Sequence, residues 1–491
     1  MIESGRRLMV ATNPYWPFSV LNPLPYRLAV NRFAGLCRRE PVVRSSHLRH
    51  SLTRANWLPG SSDIDVTVLT GEGLSAAQEY AMLAAFWRRV GRLQRVLPML
   101  KDVAVLPQHY LPSWSRFSIV GHEVCGWQLL TGASPAASAY LVTPERLEMD
   151  SLFHALSLYR YTFFDRLSRP AAWTQLALTD LRRLTAKILR YAGGDGAAEG
   201  APLDVVSDPF DLGGRLLAVL EKRCRQLLPD IIDSYSSRGL PDWQLLFDTT
   251  CRPARRDSQE APTLPTEAAS FVDSILRSHG DTFVVLADGL DAPVLSRCLR
   301  AALMSSVGAT APVALPRSVF DTMVRVVQPY LFVQLNTDRR LLAGEDPMVG
   351  LSLPSPFFFA HRLLSMVSAS RIMMFPRDWP AVLAADSGWF AGRSFQSLLR
   401  RSLLVKLFLE RGQVAEWFPD PLAAWQTHYP EIGKRMAGLL REGPGPAPAG
   451  RNQAWFELTT GITEDIHRGI ASRSIDEALY APRQGPDCRS S

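Results

Sequence analysis

The sequence predicts an α/β N-terminal domain, a small mixed sheet with helices, followed by a large, mostly α-helical C-terminal region. Three observations carry this. Residues 63–69 alternate polar and apolar side chains, the period of a strand with one buried face. Residues 75–96 then switch to three- and four-residue apolar spacing, and Lys101 to Leu106 return to strand composition. From residue 144 onward, helical spacing dominates.

Composition limits the alternatives. The chain has 491 residues, 47% hydrophobic and 21% charged, which is enough for several domains with sizeable cores. Its net charge of +7 is spread along helical stretches, a pattern suited to anionic small ligands or weak polyanion contact, nucleic acid included, more than to a dedicated nucleic-acid domain. The six cysteines form no C-x-x-C pair, so neither a disulfide framework nor a zinc knuckle is indicated, and a cytoplasmic location is expected. The N-terminal stretch is broken by Pro14, Pro17, Pro23 and Pro25, so no signal peptide is expected, and no apolar run reaches the roughly 18 residues of a membrane span.

Taken in order, residues 1–27 are rich in proline and aromatics and predict an irregular arm. The first domain is expected over 28–132. It opens with a helix around Leu28 to Arg39, and the acid-bearing strand follows. Ser75 is a good N-cap for the helix running to about Val96, and Pro107 stops the strand 101–106. Residues 116–121 predict a further strand, and the segment after Glu123 ends at Thr131-Gly132. A helical domain is expected over 144–250, with a surface loop at 193–202, and a second loop covers 252–266. Residues 267–345 predict a mixed α/β segment: a strand over 282–287, a helix over 292–305 with Asp291 as its N-cap, an apolar run 312–315 and a helix over 317–327. A helical domain over 346–480 contains helices 357–374, 394–411 and 464–479, with a flexible break at 443–450, and 481–491 reads as a disordered tail. No internal repeat is evident at this level.

The chemistry concentrates at the first strand. Asp63 and Asp65 share one face of it, and two like charges held side by side call for a cation or a proton relay, which suggests a metal site. His50-Ser51, eleven residues further Asp63-Ile64-Asp65, then Val66-Thr67-Val68, resembles the polymerase-β-like nucleotidyltransferase superfamily. That pattern is Gly-Ser, a spacer of this kind, and an acid-hydrophobic-acid strand. Ser51-Leu52-Thr53-Arg54 and Pro59-Gly60-Ser61-Ser62 are similar to the stand-alone bacterial type, which includes the aminoglycoside adenylyltransferases; the resemblance spans about residues 30–130. It implies that Asp63 and Asp65 hold magnesium or manganese, that Ser51 and its neighbour His50 meet the triphosphate, and that a nucleoside triphosphate (NTP) is the substrate. It further implies a third, catalytic acid on the next strand, for which Asp102 is the candidate, although the pattern more often has its acid at the position of Ala104. His50 stands where the pattern has glycine, and its side chain crowds the backbone's approach to phosphate.

The expected reaction is transfer of a nucleoside monophosphate to a hydroxyl of a small molecule or a protein partner. The alternative is a degenerate nucleotide-binding or protein-interaction module with the same fold. Other features read more simply as structure. Asp288-Gly289-Leu290-Asp291 fits a strand-to-helix turn, His47 and His50 have no zinc-ligand partners, and Phe357-Phe358-Phe359 and Trp87, Trp127, Trp173 and Trp243 suit packing. Arg88, Arg89, Arg92 and Arg95 belong to a solvated helix face or a triphosphate lining.

Overall fold

The structure is a computed structural model. It describes residues 8–53, 57, 59–60, 62–71, 73–112, 124–134, 143–169, 175–193, 203–238, 243–247, 254–256, 265–278, 281–305, 312–365, 393–416, 418–441, 450–472 and 479. The expected strand 116–121, the loop 193–202 beyond Gly193, most of the loops 252–266 and 443–450, helix 357–374 beyond Ser365, and the tail 481–491 lie outside the described residues.

The chain divides into two compact units. One comprises Met1–Val142 and Leu363–Ser491, and the other Thr143–Arg362. The second therefore interrupts the first. The segments 144–250 and 267–345 belong to one unit because helix Pro209–Tyr235 lies along helix Ala292–Met304, and Ser296 donates to Asp211 at 2.7 Å.

In the first unit, strands β1 (Val43–Arg49), β2 (Ile64–Thr70), β3 (Leu100–Pro107) and β4 (Gln128–Thr131) form a mixed sheet ordered β3-β2-β1-β4. β1 runs antiparallel to β2 and β4, whereas β2 and β3 are parallel and are joined by helix Ala76–Val96. Ser75 caps that helix in a reciprocal capping box with Gln78, as its sequence position predicts.

Period-two alternation gives this sheet two different faces. Ile64, Val66, Val68, Val103 and Val105 join Phe33 and Cys37 of helix Leu24–Arg38 and Phe86, Trp87 and Val90 of helix Ala76–Val96 in the main core. Phe456 of helix Arg451–Ser472 completes this core, meeting the Tyr80 ring at 5.5 Å. That last helix begins well before the expected 464. The opposite face carries Asp63, Asp65 and Thr67, and a smaller cluster of Leu69, Ala104, Leu106 and Tyr110. Tyr110 stacks on His467 at 3.7 Å and donates to Glu464 at 2.5 Å, fastening the end of β3 to the same helix.

The second unit carries its own mixed sheet. Its strands β5 (Val272–Ser278), β6 (Asp281–Leu286), β7 (Val313–Pro316) and β8 (Arg340–Gly344) are ordered β8-β5-β6-β7, and a two-residue strand at 255–256 extends the β8 edge. Asp291 caps helix Ala292–Met304 by accepting from Val294 N at 2.8 Å, as expected. β5 and β8 were not expected. Both mix Arg with apolar residues and lack clean alternation, so their strand character comes from pairing.

Residues 8–38 are largely helical, not an irregular arm. Asn22 ties this stretch together by donating to Met9 O at 3.1 Å, and Tyr26 enters the main core. Among the described residues no helix is long and apolar enough to cross a membrane.

Candidate functional site

The polar face of the first sheet brings three charged residues into one row. Arg49 of β1 pairs in register with Asp65 of β2, and Asp65 pairs with Asp102 of β3. Asp63 precedes Asp65 by two residues and so stands on the same face. The expected third acid is thus beside Asp65 at position 102. Ala104 sits one step along, opposite Thr67, buried among apolar neighbours.

A register shift produces this row. The β2–β3 pairing steps from Ile64↔Leu100 to Asp65↔Asp102, leaving Lys101 bulged out of the ladder. Its ammonium lies 3.4 Å from Asp63. On the other side the Arg49 side chain is only 3% exposed, and its guanidinium reaches Asp102 at 3.2 Å. Two cations are thereby matched to two acids.

The approach to the acids is held by Tyr26. Its hydroxyl accepts from Gly60 N and donates to Ser62 O, both at 2.9 Å, while its ring meets Trp57 at 5.1 Å. Gly60 has φ of 88°, a conformation glycine adopts without strain. Sequence reasoning missed Tyr26 and gave Arg49 no role. Tyr26 carried no signal, being thirty-odd residues from Asp63; Arg49 directly precedes His50-Ser51 in the sequence, and its place beside Asp65 comes from strand pairing.

His50 and Ser51 lie in the single helical turn His50–Thr53 between β1 and β2. Their side chains lie outside the described residues. The arginines at 88–95 sit on a helix that packs on the sheet face opposite the acids, and Arg89 pairs with Glu40. They do not line the site.

Next to the acid row, His47 is buried, bonded to Ser45 Oγ at 2.9 Å and packed against Trp127 at 5.6 Å. Burial pushes its imidazole down to about 4, so it is neutral.

Among the described residues no three His, Cys, Asp or Glu side chains converge closely enough to hold a metal by themselves. This does not conflict with the donor chemistry. Magnesium dehydrates reluctantly and is commonly held by one or two carboxylates together with substrate phosphates. Asp63 and Asp65, both oxygen donors on one accessible face, fit such a partial set.

No family model, curated protein or solved structure matches the chain.

Proposed function

We propose that this chain is a metal-dependent nucleotidyltransferase, moving a nucleoside monophosphate from an NTP to a hydroxyl of a small molecule or protein. The observation that carries the reading is the register of Asp65 with Asp102 on parallel neighbouring strands, with Asp63 two positions earlier on the same face. Three acids gathered on one sheet face repel one another, and a site that binds a cation and a triphosphate has a use for them.

Asp63 and Asp65 hold the cation, magnesium or manganese, which when bound neutralises charge on the phosphates. Asp102 takes the proton of the acceptor hydroxyl. The hydroxyl oxygen bonds to the α-phosphorus, the bond to the β-phosphate oxygen breaks, and pyrophosphate leaves. Ser51 contacts a phosphate oxygen. Tyr26 positions Gly60 and Ser62, shortly before Asp63.

One observation favours a second reading, a nucleotide-binding module without turnover: the guanidinium of Arg49 already occupies a contact with Asp102, the proposed base. The two readings part on turnover. With labelled NTPs, magnesium and a panel of hydroxyl acceptors, the wild-type chain should release pyrophosphate, and Asp65→Asn should reduce this by about 10³-fold or more. Release that is equal in both proteins would remove Asp65 from the site, and binding without release would leave the second reading.

A further inference from the structure

The two sheets share more than strand order. In each, strand one is antiparallel to strands two and four, strand two is parallel to strand three, and a helix joins two to three. The irregularities also coincide. β1 skips a residue against β2 between Val43 and Ser45, and β5 skips one against β6 between Val272 and Ser274. The first-to-fourth pairing shifts between Ser46 and His47 in one sheet and opposite Leu341/Ala343, at Ile275 and Leu276, in the other. A positive-φ glycine directly follows β4 at position 132 and ends β8 at position 344. Gly132 lies against Arg44-Ser45 and Gly344 against Asp273-Ser274, so closely that a Cβ would run into the carbonyl oxygen of Arg44 or Asp273.

Bulges are local insertions with no reason to recur at the same rung in unrelated sheets. Aligned by these registers, Gln128-Leu129-Leu130-Thr131-Gly132 meets Arg340-Leu341-Leu342-Ala343-Gly344, and Ala104-Val105-Leu106-Pro107 meets Val313-Ala314-Leu315-Pro316. Pro107 and Pro316 both close the third strand and open the next helical turn.

We infer that the sheet of the second unit, with its crossover helix, is a duplicated copy of the sheet of the first, in which a built-in guanidinium replaces the cation site. The same alignment sets Asp281 on Asp65, while by sequence count Asp63 becomes His279 and Asp102 becomes Ala311. The segment between strands one and two falls from residues 50–63, which hold Ser51, to residues 279–280. The one retained acid meets Arg160. That side chain is 9% exposed, lies 3.3 Å from Asp281, donates to Gln328 at 2.8 Å and covers the Phe283 ring at 5.2 Å. Phe283 is two residues along β6 from Asp281, so the guanidinium sits over the face that carries the acids in the first sheet. This assignment rests on the proposed function only for which sheet binds metal.

The full chain tests it in two measurements. Without added metal, thermal melting of Arg160→Gln, Asp281→Asn and the double variant should show strong coupling: Asp281→Asn, costly alone, adds no further loss of Tm to Arg160→Gln. Additive losses would overturn the built-in cation, whatever the first unit does. Manganese titration should then give the same stoichiometry and Kd for wild type and Asp281→Asn, and no binding for Asp65→Asn. A binding event lost in Asp281→Asn would overturn the inference, whereas binding unaffected by Asp65→Asn, or absent from the wild type, would count against the proposed function alone.

Discussion

The guanidinium of Arg49 lies 3.2 Å from Asp102 although Asp65 stands between their strands. The side chain must therefore cross β2, and it does so nearly out of contact with water. An acid row without that charge repels itself, and a bound cation relieves the same repulsion. Arg49→Gln is accordingly expected to destabilise the metal-free protein by roughly 1–3 kcal/mol, with millimolar manganese restoring part of the loss. Thermal melts with and without manganese check it; a loss of stability indifferent to manganese would separate Arg49 from the cation.

Tyr26→Phe removes one hydroxyl that serves two buried backbone groups, Gly60 N and Ser62 O. Leaving such groups unsatisfied costs about 1–3 kcal/mol. Chemical denaturation should show that loss, and pyrophosphate release should fall with it as the segment before Asp63 loosens. Unchanged stability would mean that water or another group takes over both bonds.

His47 gives a pH dependence. Its folded value, about 4, lies below its ordinary value of 6.5, so between those limits the unfolded chain binds the extra proton. Stability is then fully present above pH 6.5 and falls as pH drops towards 4, by at most about 1.4 kcal/mol per pH unit. The second sheet has buried Leu276 at the matching rung, which marks the position as one that accepts an aliphatic side chain. His47→Leu should fold and flatten the pH profile in this window; an unaltered slope would assign the dependence to another group.

Gly132 and Gly344 should respond alike. Alanine at either position meets both a positive φ and a backbone carbonyl, with a cost of roughly 2–4 kcal/mol. Melting of Gly132→Ala and Gly344→Ala should show comparable losses, each in its own unit. Tolerance at one position and not the other would argue against equivalent packing.

Much of the first sheet was legible because its signals are local. Ser75 capped the helix it was expected to cap, and the strands at 64–70 and 100–107 fell where alternation and Pro107 set them. Asp63 and Asp65 share a face for the same periodic reason. Other features depended on pairing that no window of sequence contains. The Lys101 bulge decides that Asp102 rather than Lys101 stands beside Asp65, and Tyr26 reaches the site only through the fold. The repeat was hidden because its matching segments are four or five residues long and its connecting loops differ in length. The segments 144–250 and 267–345 fall in one unit, which the composition of the residues between them does not reveal.

The insertion of one unit into the other bears on how the chain is made. The sheet with the acids is synthesised first, yet its core waits for Phe456 and its β3 end for Glu464 and His467. The inner unit, Thr143–Arg362, is complete long before those residues leave the ribosome. Domains usually fold in order of emergence. In this chain the second to begin is the first able to finish, and the sheet with the acids, first to be synthesised, is the last to be completed.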